Sequence, residues 1–521
     1  MASNGAWWGA PWHALFSRSD AADEPAHSEA SNPPAKAAEV VHTSAHASDA
    51  ASRAGDATSL LRSVQASQRD VAASTSTLDE PEEDEADVGG ASRFLVFSNA
   101  GKLVYASGDT SEGVYGDVGV LQALLAVFAD EHRGALETIC LEDAHARQTR
   151  ISVLTHRPLH VVCVSTRDEP RALVQAQLGR VYAAVVSLVS ETRVQRLFQQ
   201  RPNFDLRGLL APMQTYLDDV VAEMETSLAL LFDALPVHPL DAALRAEIAR
   251  AVTPIPEPGD AARPRDVLYA LVVRCGHLVC LARPKRHTPH VEDVALLYTL
   301  VRHGGACQSG EDTWAPMCLP HAAPHGFVFV YASRLHPGAD GAALVLVTGD
   351  RDGYERARAW RARLADACAH GCLRTLHARP LHETVDALGV PGLRHYVLVS
   401  RRHTQCTATP APYASGASNR RLYALYAHAL AALQGDARPA EVRAALDAAR
   451  DARVPQRAAC RLQHYRTAHE AVLGWRTASF TLLLTVRPPW LSKTAIAAAA
   501  SKVAAHVRRN DRDLFAAAYT F

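Results

Sequence analysis

One order of elements recurs three times along this chain at roughly 130–150-residue spacing, and that recurrence restricts the fold more than any single segment does. In the first round the runs Phe94–Phe97 and Lys102–Tyr105 flank the turn Ser98-Asn99-Ala100-Gly101, which predicts a β-hairpin. Val120, Leu121, Leu124, Leu125 and Phe128 then recur at one-face helical spacing. Three strand-like runs follow, Leu136–Leu141, Thr149–Leu154 and Leu159–Val164. Behind Pro170 a second helix runs through Val174, Leu178, Val181, Val185 and Leu188. The second round opens with a hairpin around Cys275-Gly276, continues through a helix near Val291–Val301 and three strands, and ends in a helix from Gly353. The third opens at His395 with a hairpin interrupted by Arg401 and Arg402, and ends in the Ala-rich helix Ile496–Val507. Short strand-to-strand connections with interleaved helices predict antiparallel sheets covered by helices, the α+β class. The expected domains are 1–92 as a tail, 93–210, 211–385 and 386–521.

Charge is distributed unevenly over this plan. Residues 1–90 hold 15 Asp and Glu against 5 Lys and Arg, while the whole chain has a formal charge of −1. An acidic segment poor in aromatics cannot bury enough apolar surface to offset its ordering entropy, so a disordered tail is expected. The tip of that tail carries Trp7, Trp8 and Trp12, candidates for a membrane interface or a short docking motif. The near-neutral total and mildly basic body exclude a uniformly basic nucleic-acid binder. No stretch of 18 apolar residues runs without a charged or polar break, and no lipidation signal or secretory leader is read. Ten scattered Cys suit reduced thiols, so a soluble intracellular protein is expected.

Motifs for covalent chemistry are hard to find. There is no Gly-x-Ser-x-Gly elbow, no His-Glu-x-x-His and no Gly-Lys-Ser/Thr phosphate loop. Gly113, Gly116 and Gly119 open a helix after a loop and miss the dinucleotide fingerprint. Cys368, His370 and Cys372 have the wrong spacing for three ligands on one helix face. Cys275, His277 and Cys280 fall on alternating faces of a hairpin. Asp350-Arg351-Asp352-Gly353 reads as a helix cap. No metal, cofactor or catalytic residue is therefore expected, and the chain reads as non-enzymatic in the covalent sense.

Several blocks then carry a resemblance. Phe97-Ser98-Asn99-Ala100-Gly101-Lys102-Leu103-Val104-Tyr105, Gly119–Leu124, Phe198-Gln199-Gln200-Arg201-Pro202-Asn203-Phe204-Asp205-Leu206-Arg207, Pro316–His321 with Gly326-Phe327, and Leu393-Arg394-His395-Tyr396 follow one another in a familiar order. Over about residues 93–521 the chain resembles the vacuolar fusion protein Mon-one family. Leu103 stands where many members have Pro, and the loop Ala106–Tyr115 is shorter.

The resemblance implies three longin domains, each an antiparallel five-stranded sheet flanked by helices. It also implies a tri-longin partner, Ccz-one, with which such proteins form a guanine nucleotide exchange factor for the Rab-seven class GTPase. The setting it implies is the cytosol, with peripheral recruitment to late endosomes and vacuoles, serving endosome maturation, vacuolar transport and autophagy. By carry-over, the exchange platform falls on the first domain. The candidates for GTPase or partner contact are Asn99, Gly101, Lys102, Tyr105, Gln122, Leu125, Arg201, Asn203, Phe204, Asp205 and Arg207. Trp314, beside a Pro-flanked edge strand, is the candidate dock for an upstream endosomal Rab. Arg401, Arg402, Arg508 and Arg509, with the tail tryptophans, are candidates for anionic or phosphoinositide membranes. Two other readings stand beside this one: a longin adaptor or tether subunit that exchanges nothing, and a hydrolase on an unrecognised α/β fold.

Overall fold

A computed structural model describes residues 92–108, 113–130, 136–142, 148–253, 267–285, 287–303, 311–335, 341–368, 371–414, 416–434, 461–467, 469–487 and 491–520. The acidic tail, Trp7, Trp8, Trp12 and His370 lie outside the described residues. The chain divides into two compact units, Met1–Arg167 with Gln195–Pro212, and Asp168–Val194 with Met213–Phe521.

The first unit contains the hairpin β1 (Ser92–Ser98) and β2 (Leu103–Ala106), helix α1 (Gly113–Asp130), and strands β3 (Thr138–Glu142), β4 (Gln148–His156) and β5 (Leu159–Ser165). The five strands form one antiparallel sheet in the order β2-β1-β5-β4-β3. Val114, Val118 and Leu121 of α1 pack with Leu95, Phe97, Ile151 and Val162 of the sheet. These helix positions follow an i, i+4, i+7 progression, which a 3.6-residue turn gathers on one face.

Helix α2 (Arg171–Val189) belongs to the second unit, and α3 (Glu191–Gln200) carries the chain back to the first. Among the described residues, α2 is the one helix long and apolar enough to cross a membrane. Gln and Arg residues interrupt its apolar run, yet 72% of that stretch is buried and Arg180 inside it donates to the Leu230 carbonyl at 2.5 Å. A helix buried nearly all round is apolar nearly all round, so α2 is a core helix.

After the short helix α4 (Arg207–Leu210), the second unit resumes with α5 (Gln214–Thr226), the two-residue strand β6 (Leu235–Pro236) and α6 (Ala242–Val252). The second round then runs β7 (Val267–Arg274), β8 (His277–Arg283), α7 (Val291–His303), β9 (Thr313–Leu319), β10 (Ala323–Arg334), β11 (Ala342–Thr348) and α8 (Tyr354–Cys368). The third runs β12 (Leu393–Ser400), β13 (Gln405–Ala408), α9 (Gly416–Gln434), β14 (Leu462–Arg466), β15 (Ala471–Arg476), β16 (Phe480–Val486) and α10 (Lys493–Arg509), and closes on β17 (Ala518–Thr520). The expected order is therefore present three times. The turn between β7 and β8 has φ of +48° at Cys275 and +75° at Gly276, the left-handed pair that a tight two-residue hairpin requires.

The strand count departs from five in both later sheets. The second sheet is β17-β8-β7-β11-β10-β9 and the third is β14-β15-β16-β12-β13-β6. Each gains a parallel edge strand from remote sequence: β17 on β8, and β6 on β13. The exchange is reciprocal, because the segment preceding the second round completes the third sheet and the chain's C-terminal strand completes the second. Two or three residues of strand carry no periodicity, which is why sequence reading did not anticipate them. Pro316 lies in β9 at the outer edge of its sheet, as a strand residue without an N–H requires.

Candidate functional site

The candidate site lies on the first unit, where three segments separated in sequence come together. The hairpin turn is held by Ser98 N donating to the Lys102 carbonyl at 2.9 Å and Gly101 N to the Ser98 carbonyl at 2.8 Å. Gly101 adopts φ +72°, and a Cβ there would fall 1.9 Å from Oε1 of Gln122. Gln122, on α1, reaches over the turn and donates from Nε2 to the Asn99 carbonyl at 2.8 Å. From the other side, Lys102 Nζ donates to the Asn203 carbonyl at 2.7 Å. The Asp205 carboxylate accepts the Arg207 amide at 3.0 Å, and the Arg207 guanidinium donates to the Tyr115 hydroxyl at the start of α1. Phe204 packs edge-on against Phe198 of α3, with ring centroids 6.2 Å apart.

The hairpin, α1 and the run from Arg201 to Arg207 thus form one surface. Asn99, Lys102, Arg201, Asn203 and Asp205 are exposed on it, and Gln122, Phe204 and Arg207 are half-buried. Two expected contact residues need correction. Tyr105 is 4% exposed in the edge strand β2, inside the sheet's core. Every residue of β2 is buried, and α4 packs on that strand, so the usual alternation of an edge strand is lost. Leu125 is half-buried and packs on the first unit's core as the fourth member of the α1 core stripe.

Sequence reading missed Tyr115, which is 52% exposed, and with it the outer face of α1. That helix is apolar on more sides than its sheet can cover. Val114, Val118, Leu121 and Leu125 use one face, leaving Leu124 and Val127 at 37% and 48% exposure. Tyr115 and Gln122 lie seven residues apart on the flank beside the hairpin, and Leu124 and Val127 lie on the opposite flank. The available signal was this surplus of apolar residues over the four that the core accepts.

On the sheet face that packs against α1, His160 lies 5.4 Å from the Phe97 ring, with Nδ1 3.1 Å from the Thr155 hydroxyl. Burial, assisted by Arg157, lowers its pKa to about 4, so the ring is neutral near pH 7. The exposed chemistry of the site therefore comes from Lys102, Asp205 and Arg201, with the side-chain amides of Asn99 and Asn203.

The remaining candidates fall in the second unit. Trp314 is half-buried, stacked on Phe329 at 5.6 Å and edge-on to Tyr354 at 6.0 Å, so its ring is largely committed to packing. Arg401 and Arg402 are exposed in the turn before β13, where Arg401 donates to the Thr477 carbonyl at 3.2 Å. Arg508 and Arg509 are exposed in the last turn of α10, where cations are favoured by the helix dipole. Arg421 is paired with the buried carboxylate of Glu470 at 3.3 Å. Cys368 and Cys372 are buried, with the Cys372 thiol turned to the Cys368 carbonyl.

Against known proteins, three family profiles match in sequence order: the first longin domain of FUZ, MON1 and HPS1 over residues 92–220, the second over 265–366 and the third over 392–511. A vacuolar fusion protein MON1 from Cryptococcus neoformans is 33% identical over 430 residues, covering 81% of this chain and 64% of its own length. The chain belongs to the MON1 family. The human MON1 homolog A is 28% identical over 428 residues, covering 81% of this chain and 60% of its own, and Mycosarcoma maydis MON1 is 27% identical over 549 residues. The chain thus spans somewhat less than two thirds of the length of these family members. The first longin match contains the whole candidate surface, from the hairpin to Arg207.

Proposed function

We propose that this chain is a trafficking factor of the vacuolar pathway. In that role it is one subunit of a heterodimeric guanine nucleotide exchange factor that activates a Rab-seven class GTPase. Its partner is a second tri-longin chain of the Ccz-one type. The reading rests on membership of the MON1 family, and the observation that carries it is the pairing on α1 of an exposed apolar strip with a polar cluster. An apolar strip on a helix that already has its core face calls for another protein. Leu124 and Val127 are the contact for the partner subunit. The Lys102–Arg207 cluster is the contact for the GTPase switch region.

Exchange of this kind breaks no covalent bond. The pair holds the nucleotide-free GTPase more tightly than the loaded form, and each tenfold acceleration requires about 1.4 kcal/mol of that preference. The exposed cations and amides at Asn99–Lys102 and Asn203–Arg207 compete for switch residues that otherwise secure Mg²⁺ and nucleotide. Arg401, Arg402, Arg508 and Arg509 face anionic or phosphoinositide membranes, which recruit the complex peripherally to late endosomes and vacuoles. Trp314, the one β9 residue that is not buried, is the place for an upstream endosomal Rab, and α2 packing on β9 leaves that strand closed to strand addition.

The test is fluorescent-nucleotide release from the GTPase with this chain alone, the partner alone, and the pair, in solution and on anionic vesicles. The expected result is acceleration by the pair only. Leu124→Asp and Val127→Asp, both at exposed positions, are expected to leave folding within about 0.5 kcal/mol of wild type and abolish pairing and exchange together. A stable pair that accelerates nothing on vesicles overturns the exchange reading and favours a longin adaptor or tether.

A further inference from the structure

We propose that His290, Glu292 and His321 form a binding site for one zinc-class divalent ion on the second longin domain. His290 immediately precedes α7, Glu292 lies in its first turn, and His321 occupies the turn between β9 and β10. Each side chain offers one ligand atom, and these atoms all lie within 4.8 Å of one another. His321 Nε2 stands 2.5 Å from Glu292 Oε2, and the His290 and His321 rings stack with centroids 3.6 Å apart.

Two imidazoles and one carboxylate are the ligand set of open zinc sites, where bonds of about 2.0–2.2 Å leave a fourth position for water or a partner's donor. Hard ions such as Ca²⁺ and Mg²⁺ demand more oxygen ligands than this cluster supplies. Drawing the donors to such bond lengths takes rotation of two exposed rings and a half-exposed carboxylate, with no movement of the core.

The backbone supports the arrangement from beneath. Asp293, 1% exposed, accepts the His321 amide at 3.2 Å through Oδ1 and the Ala322 amide at 2.9 Å through Oδ2. This buried carboxylate fixes the turn that carries His321 against the helix start that carries the other two ligands. Asp293 thus fixes the backbone spacing of the ligands and leaves their side chains free to rotate onto an ion. An ion there ties the start of α7 to the β9–β10 turn.

The experiment uses the chain of residues 1–521, freed of metal by chelator, titrated with ZnCl₂ by calorimetry and with CoCl₂ by visible absorption. Wild type is expected to take up one ion and show the d–d bands of near-tetrahedral cobalt. Zinc is also expected to raise its melting temperature. His321→Ala and Glu292→Gln, on different elements, are each expected to lower affinity at least about tenfold, erase the cobalt bands and remove the melting shift. Their metal-free melting temperatures should match wild type, and either variant alone decides the question if the other does not fold. Zinc uptake of unchanged affinity in both variants overturns the proposal, as does the absence of stoichiometric binding in wild type.

Discussion

Gly101 concentrates the constraints of the candidate surface in one residue. Its φ of +72° belongs to the left-handed region, and Gln122 occupies the space that a β-carbon needs. Gly101→Ala is expected to destabilise the first unit by about 1–3 kcal/mol, read as a shift in the urea midpoint of the full chain. An unchanged midpoint would mean that the turn relaxes without cost. The Gly was legible in Ser98-Asn99-Ala100-Gly101 because turn chemistry is local. The partner that closes over it was not, since Gln122 arrives from a helix whose placement depends on the core. Tyr105 shows the converse: its period-2 pattern suited a half-exposed strand, but α4 covers that edge.

At the scale of elements, the reciprocal strand exchange depends on one buried cation. Arg245 of α6 donates from Nε to the Val279 carbonyl at 3.1 Å, from Nη1 to Arg512 and Phe515, and from Nη2 to His238 and Asp513. Burial pushes its pKa down, and the carbonyl dipoles compensate the charge. Beside it, Gln405 on β13 exchanges two hydrogen bonds of 2.9 Å with the backbone of Ala516, just before β17. Arg245→Ala leaves three buried and two part-buried carbonyls without this donor, so the second unit should lose at least about 3 kcal/mol. Denaturant unfolding of the full chain measures this, and a loss below about 1 kcal/mol would show that other groups hold the exchange. Nothing in the helix pattern of Ala242–Val252 distinguishes Arg245 from a solvated residue. Its five acceptors come from three separate stretches of chain, at His238, at Val279 and at Arg512–Phe515.

The second unit as a whole is built around neutral histidines. His238 and His277 are lowered to about 4 and His395 to about 3, each chiefly by burial. Arg274, Arg245 and His382 face His238; His382, His238 and Arg302 face His277; and His382 faces His395. His277 and His382 meet edge-on at 4.9 Å, and with His395 they line a cleft of about 270 Å³. A histidine whose folded pKa is lowered binds its proton in the unfolded state first. Stability is therefore complete above the unfolded value of 6.5 and is lost as pH falls toward about 4. Each histidine contributes a slope of up to about 1.4 kcal/mol per pH unit in that window. Urea midpoints measured from pH 7.5 to 4.5 should fall steadily below pH 6.5, and a flat profile would refute the account.

Sequence alone determined the features that repeat or stay local. Three rounds of hairpin, helix, strands and helix follow from periodicity and turn residues, because each round must bury its own apolar face. The order of the blocks from Phe97 to Tyr396 sufficed for the family. Tertiary structure decided what depends on distance: which face of α1 the sheet accepts, leaving Leu124 and Val127 outside, and which remote strands complete the later sheets. It also brought His321 against His290 and Glu292, some thirty residues away, a constellation no linear spacing marks. Side chains meet through the packing of elements, and packing follows from the balance of all apolar faces at once.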